Sequence, residues 1–181
     1  YYKDEDLLQC SEAEMRLKRG KEISMIFQEP STALDPCYTA GYQISETILA
    51  HQNISKKEAR NKAIELIDSM KIPDPVKIYS CYPHELSGGM QQRIMIASAL
   101  ASGSSLMIAD EPTTALDVTV QSQILSILKS KVKSEGLSLI FISHDLGITA
   151  NLCERTAVLY AGEIVEIGYS ETIFSDPMHP Y

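Results

Sequence analysis

Apolar positions along the chain fall into three kinds of pattern, and each predicts a different element. Residues 23–27 (ISMIF) form a short, largely apolar run that meets Gln28 and is broken at Pro30, which reads as a strand entering a loop. From residue 38 to residue 70 the spacing turns helical. Within that stretch Ser55 and Glu58 match a capping box, after which Ala59, Ala63, Ile67 and Met70 fall on one helical face. Residues 71–83 (KIPDPVKIYSCYP) carry three prolines, which predicts irregular chain with no helix. A second helix begins near Ser87-Gly88-Gly89, with Met90, Ile94, Ala97 and Ala101 on one face and further apolar residues around it, so it is expected to be largely buried.

Residues 106–109 and 137–142 are continuous apolar runs. Between them Val120, Ile124, Ile127, Leu128 and Val132 share a helical face, and Gly136 supplies a stop. Strand, helix, strand in that order predicts a βαβ unit, hence an α/β fold with a parallel sheet covered by helices. Residues 156–168 (TAVLYAGEIVEIG) read as a hairpin turning at Ala161-Gly162. The chain holds no internal repeat and no heptad array.

Composition narrows the function classes. With 181 residues, 44% of them hydrophobic, the chain can bury one sizeable core. No apolar run approaches the roughly 20 residues a spanning helix needs, so any membrane role is expected to be peripheral. The first residues, YYKDEDLLQC, lack the basic-then-apolar pattern of a secretory signal. Cys10, Cys37, Cys81 and Cys153 lie far apart, without metal-ligand or Cys-x-x-Cys spacing, and read as reduced thiols. A net charge of −8 argues against nucleic acid as a partner while leaving room for a local phosphate site.

The candidate chemistry sits where the strands end. Gln28 follows the first strand, Asp110 and Glu111 the second, and Ser143-His144-Asp145 the third. Ligands of open α/β sheets gather beyond these carboxyl ends. Two adjacent carboxylates after an apolar run, followed at once by Pro112, need compensating partners. An aspartate there can hold Mg²⁺ and a neighbouring glutamate can orient or deprotonate a water. The Ser87-Gly88-Gly89 helix start offers backbone N–H groups and the positive end of a helix dipole to an anion, worth about 0.3–1 kcal/mol. Each feature alone has an ordinary structural explanation as a cap or turn.

Taken in order, IFQEP, ELSGGMQQR, LMIADEP, ALD and IFISHD resemble the Q-loop, signature motif, Walker B strand, D-loop and switch histidine of the ATP-binding subunits of ABC transporters. The resemblance implies a P-loop NTPase-type ABC ATPase domain, with residues 1–28 and 87–181 as the catalytic α/β core and residues 29–86 as an inserted helical subdomain that contacts the membrane subunit. It implies ATP and Mg²⁺ as ligands. Gln28 would touch the metal and the attacking water, Asp110 would hold the metal, Glu111 would be the catalytic base, and His144 would contact the γ-phosphate. Ser87, Gly88 and Gly89 would cap ATP held by the opposite subunit, and Asp117 would cross the dimer interface. Partners so implied are a second ATP-binding subunit arranged head-to-tail, identical or not, the membrane-spanning permease subunits and, indirectly, an extracytoplasmic solute-binding protein. The location implied is the cytoplasmic face of the membrane.

RGKEISMIFQEPSTALDP, YPHELSGGMQQR, LYAGEIVEIG and the terminal DPMHPY are similar to the peptide and nickel uptake branch, in which Met90 at the signature is common. A phosphate-binding loop, G-x-x-x-x-G-K-[ST], does not occur in the 181 residues, where the only Gly-Lys pair, Gly20-Lys21, is followed by Glu22. In the family that loop lies upstream of the Q-loop, so the chain is expected to be a piece of a longer subunit, truncated at both ends and inactive by itself. The competing reading is a non-catalytic docking or regulatory module with the same fold, against which intact Glu111 and His144 speak. DNA-repair members of the superfamily insert long coiled coils between Q-loop and signature, whereas residues 29–86 are too short and lack heptads.

Overall fold

The structure, a computed structural model, describes every residue except Ala115, together with every side chain but that of Glu135. The chain forms two compact units, Tyr1–Ile140 and Phe141–Tyr181. The first opens with helix α1 (Glu12–Lys18), started by a capping box between Ser11 and Glu14, and continues into strand β1 (Ile23–Ile26). Helices α2 (Pro30–Ala33), α3 (Ala40–His51), α4 (Lys56–Ser69) and α5 (Pro75–Tyr79) follow. Helix α6 (Gly88–Ala101) leads to strand β2 (Leu106–Asp110), and helix α7 (Val118–Glu135) leads to strand β3 (Ser138–Ile142).

The sheet has the order β1-β2-β3, with β1 and β2 parallel, so the expected α/β fold is present. Its burial corrects one expectation. Ser24 and Ile26 of β1 and Met107 and Ala109 of β2 are buried, whereas Met25 and Phe27 are exposed. In β3 the exposed positions alternate as well, with Ile140 49% and Ile142 47% exposed. The sheet expected to be covered by helices is fully buried on only one face of β1 and β2, and β3 lies at its edge. The covered face meets α6, whose Ile94, Ile96 and Ala97 are fully buried with Ile26 and Met107.

The helical region bears out the capping box and the buried face of α4. Ser55 Oγ accepts from the Glu58 N–H at 3.2 Å, while the Glu58 carboxylate accepts from the Ser55 N–H at 2.8 Å. Ala59, Ala63 and Ile67 are wholly buried and Met70 nearly so. Residues 38–70 prove to be two helices, because the chain leaves α3 at Gln52, which is extended, and re-enters only after Ser55.

The segment with three prolines is corrected. It contains α5, because Asp74 turns the chain with φ +51 and Pro75 then sits at the first helical position, where its missing N–H costs nothing. Tyr79 secures that turn: its hydroxyl lies 3.0 Å from Ser45 Oγ, the Arg60 guanidinium stacks over its ring at 4.9 Å, and a Cβ at Gly41 would overlap the ring.

In the second unit, helix α8 (Leu146–Leu152) precedes strands β4 (Arg155–Tyr160) and β5 (Glu163–Tyr169), an antiparallel hairpin turning at Ala161 and Gly162 as expected. Both turn residues have positive φ, +49 and +85, as the tight hairpin turn requires. Helix α9 (Ser170–Ser175) packs on the hairpin through buried Ser170 and Ile173. The terminal DPMHPY is tied down: the Glu166 carboxylate accepts from the Met178 and His179 N–H groups, at 2.9 Å for the latter. These N–H donors hold Glu166 below its ordinary pKa. Among the described residues no helix is long and apolar enough to cross a membrane.

Candidate active site

Parallel register brings the first two candidates together. Ile26 of β1 is paired with Ala109 of β2. Gln28 lies two residues beyond this pair, just past the end of β1, and Glu111 lies two residues beyond it, just past the end of β2, so the register carries both to the same end of the sheet. Gln28 Nε2 donates to Glu111 Oε2 at 3.1 Å, and Thr114 Oγ1 donates to the same oxygen at 3.1 Å. The Glu111 carboxylate is thus aimed by a neighbouring strand and by its own turn. Asp110 is the last residue of β2 and half-buried, directly before Glu111.

Glu111 is held in an unusual backbone conformation, with φ +44. Left-handed φ is unfavourable for a residue with a side chain, and a following proline restricts its predecessor further. Such strain persists where the surroundings over-determine it, and it gathers at functional sites. Pro112 and Thr113, immediately after, are buried.

The signature turn is open to solvent. Ser87 caps α6, its Oγ accepting from the Met90 N–H at 3.4 Å, and Ser87 and Gly88 are exposed. A Cβ added at Gly88 would meet nothing within 4 Å, and one at Gly89 would lie 3.4 Å from a Leu116 methyl. The first N–H groups of a 14-residue helix therefore face outward and can receive an anion.

Asp117 caps α7: one carboxylate oxygen accepts from the Thr119 and Val120 N–H groups, each at 3.1 Å. That accounts for an aspartate here by helix capping, and its exposure leaves it accessible as well. Burial lowers the Arg93 pKa while the charge of Asp117 acts to raise it. His144 belongs to the second unit, exposed between β3 and α8, whose cap Asp145 accepts from the Ile148 N–H at 3.0 Å.

The donor set at the strand ends suits a hard cation. Gln28 and Asp110 offer amide and carboxylate oxygens, the ligands Mg²⁺ prefers, and Mg²⁺ is commonly held by one or two carboxylates together with substrate phosphates. Two contributors escaped the reading from sequence. Thr114 carries no signal there beyond its place after Glu111-Pro112. Gln92 stands in the polar run Gln91-Gln92-Arg93, where nothing in the sequence sets it apart, yet it is fully buried.

The ABC transporter family model matches residues 1–114. Over 180 residues the chain is 53% identical to the oligopeptide transport ATP-binding protein OppD of Bacillus subtilis (strain 168), a match covering 99% of this chain and 50% of that protein. To the probable D,D-dipeptide transport ATP-binding protein DdpD of Escherichia coli (strain K12) it is 50% identical over 177 residues, 98% of this chain and 54% of that one. The chain therefore spans about half the length of the curated relatives it matches. A solved dimeric ATP-binding cassette, described as a post-hydrolysis state bound to ADP and Pi, superposes with a TM-score of 0.86 at 27% identity, covering 94% of this chain and 72% of that chain. Motifs, fold and family match agree, and the chain belongs to the ABC transporter family.

Proposed function

We propose that this chain is the hydrolytic part of an ATP-binding subunit that drives import of short peptides. The carrying observation is the Gln28–Glu111 hydrogen bond across the ends of adjacent parallel strands, with Glu111 held at positive φ. In this reading Glu111 takes the proton of the attacking water and Gln28 orients that water. Phosphoryl transfer asks mainly for positioning and charge compensation, so a base aimed by two hydrogen bonds supplies what the reaction needs.

Gln28 and Asp110 would hold Mg²⁺, which when bound supplies charge neutralisation at the phosphate oxygens. The Ser87, Gly88 and Gly89 N–H groups would cap the γ-phosphate of ATP carried by a second subunit, with Asp117 at the contact between subunits and His144 touching the γ-phosphate. Solvent exposure of the signature turn supports the cap. Residues 29–86 would be the subdomain that grips the permease at the cytoplasmic face of the membrane, with a solute-binding protein engaged indirectly. The names of the matched relatives support peptides as the cargo class. The 181 residues alone are proposed to hydrolyse negligibly, since no phosphate-binding loop sequence occurs within them.

The test is phosphate release at saturating Mg·ATP by the full-length subunit assembled with its partners. Glu111→Gln should lower turnover by about 10²–10⁴-fold, the usual contribution of a placed base, while nucleotide still binds. Unchanged turnover in that variant would contradict the assignment.

A further inference from the structure

Directly after the signature, three consecutive side chains of α6 reach into three different segments. Gln91 Nε2 donates to the Pro83 carbonyl at 2.8 Å and to the Leu86 carbonyl at 3.2 Å, holding the approach to the signature. Arg93 Nη1 donates to the Lys71 carbonyl at 3.0 Å, just beyond α4. Between them Gln92 Nε2 donates to the Pro112 carbonyl at 2.7 Å.

Gln92 is the telling member. It is fully buried, and its Oε1 has no hydrogen-bond partner among the described residues. A buried amide left half-satisfied is unfavourable where an apolar side chain of the same size would pack without that cost. Packing alone therefore gives no reason for glutamine here. Its one hydrogen bond ends on the carbonyl of Pro112, the residue directly after Glu111, which is itself held at φ +44. A strained turn of this kind needs an external restraint to persist.

We infer that Gln92 is a positioning residue of the hydrolysis site: by fixing the Pro112 carbonyl it keeps Glu111 in the strained turn that aims its carboxylate at Gln28. The same helix begins at Ser87, so one rigid element joins the anion-facing turn to the base. This inference rests on the ATP-hydrolysis reading of the site.

The experiment is steady-state ATP hydrolysis by the assembled full-length transporter carrying Gln92→Met, Gln92→Glu or, as a control, Glu111→Gln. Gln92→Met preserves shape and removes the donor; kcat should fall on the order of 10- to 100-fold, as for a small misplacement of a reacting group, with KM for ATP unchanged. In Gln92→Glu a protonated carboxyl can still donate to Pro112 and an ionised one cannot, so kcat should recover toward wild type as pH falls. A merely structural role would not move that pH profile. Wild-type kcat in Gln92→Met overturns the inference. So does a Gln92→Glu enzyme with the pH profile of the wild type, and this second variant decides the matter if Gln92→Met does not fold. If the wild type does not hydrolyse ATP, or Glu111→Gln hydrolyses it normally, the hydrolysis reading fails and takes the inference with it.

Discussion

Helices α4 and α6 are both 14 residues long and both start from a serine cap, yet they are built for different ends. In α4 the third helical residue is Glu58, which closes the capping box, and the buried stripe of Ala59, Ala63 and Ile67 is purely apolar. In α6 the third residue is Met90, the first two are Gly88 and Gly89, and the buried part opens on a glutamine, Gln92, ahead of its apolar residues. Glycine costs roughly 1 kcal/mol relative to alanine inside a helix. Helix α6 thus gives up local stability at its exposed start and polar satisfaction in its interior. Those two places face the proposed nucleotide and the strained Glu111 turn. A local rule broken without structural gain is where function is to be sought.

The comparison can be broken first at its stable side. Ile67→Ala in α4 removes a wholly buried side chain and should destabilise the full-length subunit by about 2–5 kcal/mol, read from denaturant unfolding, while turnover per folded molecule stays unchanged. A specific loss of turnover would mean that α4 is no mere packing element. At the functional side, Gly88→Ala has room for its Cβ and should raise stability by up to about 1 kcal/mol. The same methyl should obstruct the close approach of phosphate and lower ATP turnover on the order of 10²-fold, comparable to losing one well-placed donor. Stability and activity moving in opposite directions is the expected signature.

The smallest effect concerns acid. The Ser55 side chain and then the Ser55 N–H hold Glu58 below its ordinary pKa. A carboxyl depressed in the folded state contributes stability that is present above its unfolded pKa and is lost as pH falls through its folded pKa. Glu58→Gln should therefore flatten the acid limb of the stability curve, as seen by thermal melting between neutral pH and pH ~3. The start of α6 has Met90 at the matching position and should add no such slope.

How much of this could be read beforehand depended on where the information lay. The buried face of α4, the capped start of α6, the Gly136 stop and the Ala161-Gly162 hairpin were legible because periodicity and turn chemistry are local. Helix α5 was missed because its formation depends on Asp74 adopting left-handed φ, with Tyr79 secured by α3 and α4, neither of which shows in a count of prolines. Exposure of Ile140 and Ile142 was missed because a continuous apolar run does not tell a covered strand from one at a sheet edge. Gln28 and Glu111 were named from their places at strand ends, but their contact came from the β1–β2 register, which pairs residues 83 apart. Thr114 and Gln92 emerged only with side-chain contacts.

The most direct test of the central claim is a structure of the full-length Glu111→Gln subunit pair with Mg·ATP bound. The account predicts the γ-phosphate lying beside residue 111 and Gln28 of one subunit and capped by the Ser87, Gly88 and Gly89 N–H groups of the other. A nucleotide seated away from residue 111, or a signature turn that leaves the phosphate uncapped and packs on its own subunit, would contradict it.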